Sequence, residues 1–119
     1  MPFKMIIREL VEGTPAADGA ILADWEGEAV EQHCLGDVYE LKVLGAHKGI
    51  ILNRMKEAQA ELPLGELVDA IITTGKQHVI IGAIGPDYSL VMTLARETII
   101  GLALYRFRQT VKLLAKEIY

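Results

Sequence analysis

The sequence contains a single cysteine, Cys34, and it has no apolar run long enough to cross a bilayer. One cysteine cannot form an internal disulfide, which is typical of proteins from a reducing compartment. Charged residues interrupt the apolar residues of the opening "MPFKMIIREL", so this segment does not have the pattern of a signal peptide. We therefore expect a cytoplasmic protein without a membrane-spanning segment.

Positive charge is absent from a long part of the chain. Between Glu9 and Leu41 there are nine carboxylates and no lysine or arginine, and the net charge is −4. The negative electrostatic field of these charges repels phosphate backbones and anionic lipids, so neither nucleic acid nor a membrane is an expected partner. The C-terminal stretch is basic, with Arg96, Arg106, Arg108, Lys112 and Lys116. The sequence predicts an acidic hairpin face and a basic helix face.

The side chains that support catalysis or bind metals are few, and their spacing is unfavourable. The histidines His33, His47 and His78 and the thiol of Cys34 show none of the paired spacings of zinc sites. Neighbours in a strand point to opposite faces, so His33 and Cys34 cannot act together; we expect a surface His33 and a buried Cys34. The glycines of "GAIGPD" lead into a strand, which indicates a hairpin loop. We expect no catalytic residue, metal or cofactor.

The N-terminal third of the chain predicts a helix and a hairpin. Apolar residues recur at helical spacing from Phe3 to Val11, and Gly13 and Pro15 end that pattern. The segments "GAILAD" and "EAVEQHC" have the length of strands, and Asp24 and Gly27 between them fit a type I turn followed by a left-handed glycine.

The hairpin tip carries Trp25 among three carboxylates, Asp24, Glu26 and Glu28. Water solvates carboxylates at an exposed turn, so they are not expected to act as a general acid. Trp25 is interpreted either as an anchor for a partner or as a ring that folds back over the hairpin.

A long helix of about 25 residues, or ~37 Å, is predicted from Asp37 to Leu62. Its apolar residues cover two faces, and one sheet cannot cover both. Gly45 and Gly49 lie on one side of it, where they would let another helix approach; alternatively they reduce crowding against the protein's own sheet.

Three strands and a helix complete the pattern. "ELVDAIITT", "QHVIIGAI" and "YSLVMTLA" are separated by turn signals and predict a meander. Thr98 is a candidate cap for the last helix, whose apolar stripe runs from Ile100 to Ile118. The expected fold is a single α/β domain over residues 1–119, ordered helix-strand-strand-helix-strand-strand-strand-helix, with a five-stranded antiparallel sheet flanked by helices.

This arrangement resembles the Roadblock, or dynein light chain, superfamily. The resemblance rests on the element order, on "GAILADWEGEAVEQ", on the small-residue-rich central helix and on "IIGLALYRFRQTVKLLAKEI". It is strongest for prokaryotic members that are similar to the gliding-motility regulator of a Ras-like GTPase.

The resemblance implies a homodimer in which the third strand pairs with its twin and the central helices pack side by side. The apolar segment "ELVDAIITT" would otherwise be an exposed edge strand. The residues expected at the dimer interface are Leu41, Gly45, Gly49, Leu52, Leu67, Asp69, Ile71 and Thr73.

The resemblance also implies a non-enzymatic regulator that binds a small Ras-like GTPase and modulates its nucleotide cycle. The alternatives are a structural dimerisation adaptor without effect on GTP hydrolysis and, less favoured, a small-ligand sensor. The residues expected to contact a partner are Lys48, Asn53, Arg54, Glu57 and Trp25.

Overall fold

The computed structural model describes residues 2–24, 26–36, 54–55, 57–58, 65 and 67–119 of the chain. Helix α1 spans Pro2–Gly13. Its apolar side chains recur at three- and four-residue steps, and Ile7, Leu10 and Val11 are buried. The helix ends at Gly13, as the sequence predicted.

Strands β1, Ala17–Asp24, and β2, Ala29–Cys34, form the predicted hairpin. Oδ1 of Asp24 accepts the backbone N–H groups of Glu26 at 3.0 Å and Glu28 at 2.9 Å. Gly27 has φ 89°, a conformation that glycine adopts without steric cost. The N–H of Gly27 donates to the carbonyl of Asp24 at 2.9 Å, so the predicted turn with a left-handed glycine at position 27 is confirmed, and a register shift next to Leu22 and Ala23 places a bulge behind it.

Strands β3, Asp69–Thr73, β4, Gln77–Ile84, and β5, Tyr88–Ala95, form the predicted meander. The sheet has five strands in the order β2-β1-β5-β4-β3, and all its neighbouring strands are antiparallel. The predicted fold class is thus confirmed, and β3 lies at one edge of the sheet.

Helix α2 spans Ile100–Ile118, and its N-cap residue is Ile99, without a side-chain cap. The prediction that Thr98 caps this helix is wrong. The N–H of Thr98 donates to the carbonyl of Ala95 at 3.3 Å, so Thr98 belongs to the turn that follows β5. The predicted apolar stripe is confirmed: Phe107 and Leu114 are buried, and Ile100, Leu104, Val111 and Ile118 pack beside them.

The sheet separates two apolar clusters. The larger one contains α1, α2 and the strand residues that face them, among them Leu22, Ile80 and Met92. We call this face of the sheet the helix side. The smaller cluster contains Ile21, Val79, Ile81 and Val91 on the opposite face, which we call the far side.

The predicted central helix lies mostly outside the described residues. Arg54, Met55, Glu57 and Ala58 are helical, and all four are exposed. In the part of the chain that the structure describes, no helix combines the length and the apolar character needed to cross a membrane.

Candidate functional site

The open edge of the sheet is formed by β3. Among the described residues, β3 pairs only with β4. Ile71 at its centre is 41% exposed, although isoleucine is a residue type that is usually buried. An apolar strand with one free edge is a template for pairing with another strand.

The backbone of β3 alternates between its neighbour and the free edge. The N–H of Ala83 donates to the carbonyl of Val68 at 3.1 Å, and the N–H of Thr74 donates to the carbonyl of Gln77 at 2.9 Å. In an antiparallel pair, hydrogen-bonded residues alternate with residues whose N–H and C=O groups point away. With this register, Ala70 and Ile72 bond to β4, while Asp69, Ile71 and Thr73 direct their N–H and C=O groups outward.

The same alternation sorts the side chains. Asp69, Ile71 and Thr73 lie opposite Gly82, Ile80 and His78, on the helix side of the sheet. Leu67 precedes the strand and packs in the cluster of the far side. The four predicted interface residues of this segment therefore do not share one face, because Leu67 lies outside the strand.

Asp69 is held by α2. Nε of Arg108 donates to Oδ2 of Asp69 at 2.8 Å, and Nη2 donates to Oδ1 at 3.1 Å. The Asp69 side chain is 11% exposed and that of Arg108 is 52% exposed. The hydrogen bonds and charge of Asp69 raise the pKa of Arg108 further above its ordinary value, so the guanidinium remains a cation. This pair joins the edge strand to the C-terminal helix.

Thr73 is held by a buried histidine. Nδ1 of His78 lies 2.8 Å from Oγ1 of Thr73, and Nε2 lies 2.8 Å from the carbonyl oxygen of Arg96. The ring N–H at Nε2 can donate to the Arg96 carbonyl, and Nδ1 and the Thr73 hydroxyl can share the second hydrogen bond. His78 is thus a structural residue of the sheet edge.

An apolar groove of about 330 Å³ lies between α2 and the edge of the sheet. Leu104, Phe107 and Val111 of α2 line it together with Val68 and Gly82, and Asp69, Arg108 and Lys112 supply its charged groups. The sequence predicted Arg108 and Lys112 on the basic face of the C-terminal helix. It gave no sign that Arg108 meets a carboxylate 39 residues away.

His33, Cys34 and the carboxylates of the hairpin tip do not line this groove. His33 and Cys34 point to opposite faces, as predicted: Nε2 of His33 lies 3.0 Å from Oε2 of Glu12 on the helix side, and Cys34 packs on the far side. Both are half-buried, so neither the surface position of His33 nor the full burial of Cys34 is correct. Asp24 is engaged in the turn, and Glu26 and Glu28 are exposed.

Several residues predicted at the dimer interface or at a partner contact lie outside the described residues. Of the predicted dimer interface, these are Leu41, Gly45, Gly49 and Leu52. Of the predicted partner contacts, they are Lys48, Asn53 and Trp25. Arg54 and Glu57 are described, helical and exposed.

No protein-family model matches the sequence, and no curated protein matches it. Solved structures do. Myxococcus xanthus MglB is 15% identical, with a TM-score of 0.88 over 99% of this chain and 95% of that chain. A Roadblock/LC7 domain from Streptomyces avermitilis is 16% identical, with a TM-score of 0.86 over 97% of this chain and 96% of that one. The chain has the Roadblock/LC7 fold.

A third solved structure, MglB with tetrameric arrangement, is 13% identical, with a TM-score of 0.83 over 97% of this chain and 86% of that chain. The resemblance inferred from the sequence is confirmed at the level of the fold. In this chain, the edge strand β3, the ion pair of Asp69 with Arg108 and the adjacent groove lie on one flank of the sheet.

Proposed function

We propose that this protein is a non-enzymatic, homodimeric regulator that binds a small Ras-like GTPase and modulates its nucleotide cycle. The observation that carries the proposal is the open edge of β3, with its exposed Ile71 and its outward backbone groups. The structural similarity to MglB and to a Roadblock/LC7 domain supports it.

The dimer forms by antiparallel pairing of β3 with β3 of a second copy. The outward N–H and C=O groups belong to Asp69, Ile71 and Thr73, so the pairing that uses all of them places Ile71 opposite Ile71 of the partner subunit. Asp69 then lies opposite Thr73 of the partner subunit. This register gives the outward N–H and C=O groups of β3 hydrogen-bond partners, and it buries the apolar side chain of Ile71, which is otherwise exposed to water.

The predicted central helix supplies the surface for the GTPase. Arg54 and Glu57 are exposed there, and a dimer presents each of them twice, on a surface that neither subunit has alone. Lys48, Asn53 and Trp25 remain predicted contacts. The acidic hairpin that carries Trp25 would steer association and would act mainly on the association rate, which falls as salt rises.

The regulator would act by ordering the partner's own loops. Among the described arginines, Arg8 is paired with Glu12 and Arg108 with Asp69. The rate of GTP hydrolysis can rise without a donated arginine when the GTPase's own switch residues are held in the arrangement that hydrolyses GTP.

The test is to measure binding and single-turnover GTP hydrolysis with the Ras-like GTPase whose gene lies nearest to this one. Binding that prefers the GTP form and changes the hydrolysis rate supports the regulator. Nucleotide-independent binding without a rate change moves the assignment to an adaptor, and no binding in either state contradicts the proposal. Arg54→Ala should weaken binding, whereas Arg96→Ala, an equal loss of charge in the turn after β5, should not.

A further inference from the structure

The groove between α2 and the sheet edge is a hollow on the helix side. Leu104, Phe107 and Val111 form its apolar wall, and Tyr105, which is 63% exposed, stands at its rim. Its volume of about 330 Å³ is sufficient for bulky side chains of another molecule. Protein pockets that bind ligands start at roughly this size.

Two glycines line the groove, one in close packing and one facing open space. Gly82 of β4 has no side chain, and a Cβ atom there would lie 2.6 Å from Cε1 of Phe107. Gly101 of α2 also lines the groove, and a Cβ atom there would meet nothing within 4 Å. The helix thus packs tightly on β4, while the space between its outer flank and β3 remains unfilled among the described residues.

The charged groups of the groove favour a negatively charged occupant. Among the described residues that line the groove, Asp69 is the one carboxylate, and Arg108 already engages both its oxygens. A guanidinium carries five N–H donors in a rigid plane, and Asp69 uses two of them. Asp69 therefore fixes the orientation of Arg108 and leaves donors for a second carboxylate. Lys112 is exposed and has no ion-pair partner within the described ranges.

We propose that this groove binds an acidic amphipathic helix of a partner protein. Bulky apolar side chains of that helix enter between α2 and β3, and carboxylates on its flanks pair with Arg108 and Lys112. An apolar face in a groove gives the affinity, and the charges at the rim fix the orientation and exclude basic helices.

The groove exists in each subunit. Its continuation from one subunit into the other rests on the dimer of the proposed function. Pairing through β3 extends the sheet sideways and, among the described residues, leaves the two β3 strands at the junction without a helix directly over Ile71. Ile71 and Ile71 of the partner subunit would then form a continuous floor between the two copies of α2. The dimer would thereby hold a second partner at a surface that does not include Arg54 or Glu57.

The probe is a fluorescent synthetic helix of about 18 residues, or ~27 Å, with leucine and phenylalanine on one face and glutamate on both flanks. Its twin has lysine in place of each glutamate. Fluorescence anisotropy of the full chain should show that the glutamate helix binds about tenfold or more tightly than its twin, and that the difference shrinks as salt rises. Equal binding of both helices, or binding of neither, would overturn the inference.

Variants locate the site. Gly101→Phe fills the open mouth, and Lys112→Glu reverses the rim charge; each should weaken binding of the glutamate helix about tenfold. Lys116→Glu makes the same charge change on an exposed residue of α2 that does not line the groove, and it should leave binding nearly unchanged. Equal effects of Lys112→Glu and Lys116→Glu would show that only the general charge of the helix matters.

Sedimentation of the same samples separates this inference from the proposed function. A dimer that fails to bind the glutamate helix contradicts the groove alone. A monomer that binds it supports the groove and contradicts the proposed dimer together with the continuous floor.

Discussion

Arg108 of α2 holds both carboxylate oxygens of Asp69 on the edge strand, at 2.8 Å and 3.1 Å. The two residues are 39 positions apart in the sequence. The pair is unequal in its surroundings, since the Asp69 side chain is 11% exposed and that of Arg108 is 52% exposed. Removing one partner therefore has a different consequence from removing the other.

Arg108→Gln should lower the melting temperature more than Asp69→Asn does. The first change leaves a nearly buried carboxylate without its partner, whereas the second leaves an arginine that water can solvate. The double variant should cost less than the sum of the single variants. Thermal unfolding followed by circular dichroism measures all three, with Lys116→Gln as a control on the same helix. Additive effects would contradict a direct interaction.

Proline substitutions should distinguish the two sides of β3. Ile71→Pro removes an outward N–H, so the fold should persist while the dimer dissociation constant rises about tenfold or more. Ile72→Pro removes an N–H that donates to β4 and should lower the free energy of unfolding by about 1–3 kcal/mol.

Analytical ultracentrifugation and chemical denaturation measure the two effects of these proline variants separately. If Ile71→Pro unfolds the protein as readily as Ile72→Pro, the assignment of outward groups is wrong.

Gly82→Ala should destabilise the contact between β4 and α2. The added Cβ atom would lie 2.6 Å from the ring of Phe107, whose side chain is fully buried and cannot move freely. Overpacking of this kind costs about 1–3 kcal/mol. Gly101→Ala is the matched control, because open space surrounds that position and the change should stabilise the helix by about 0.4–1 kcal/mol. Urea denaturation of both variants checks the contrast, and equal stabilities would contradict the close packing.

Gly27→Val should destabilise the hairpin without changing the oligomeric state. Gly27 has φ 89°, and a non-glycine residue in the left-handed region costs about 1–2 kcal/mol. Gly27→Asn should cost less, since asparagine adopts this conformation more readily. Melting temperatures of the two variants give the comparison, and an unchanged value for Gly27→Val would show that the turn tolerates a branched side chain.

Local patterns predicted most of the fold. The turn at Asp24 and Gly27 depends on two residues within four positions, and the stripe of α2 depends on three- and four-residue steps, so both could be inferred without tertiary information. Thr98 was misassigned because a helix start depends on where the preceding turn ends. Ala95 uses its carbonyl for that turn and displaces the helix start to Ile100.

The candidate site was less predictable. The sequence indicated that "ELVDAIITT" needs a partner, but not which of its backbone groups point outward, because that depends on the register with β4. The same holds for Arg108, which is one of several cations off the buried stripe until the packing of α2 brings it to Asp69. The groove depends on the absence of a side chain at Gly82 and on the position of Phe107, which only the packed structure defines.

The homodimer formed through β3 is tested most directly by cysteine cross-linking at its two-fold axis. In the proposed register, Ile71 faces its own copy at a Cα separation of about 5.5 Å, which suits a disulfide. Thr73 lies on the same side of the sheet, but its two copies would be about 13 Å apart along the strands. In a chain with Cys34→Ser, mild oxidation of Ile71→Cys should give a covalent dimer on a non-reducing gel, and Thr73→Cys should stay monomeric. A monomeric Ile71→Cys, or equal cross-linking of both variants, would contradict the account.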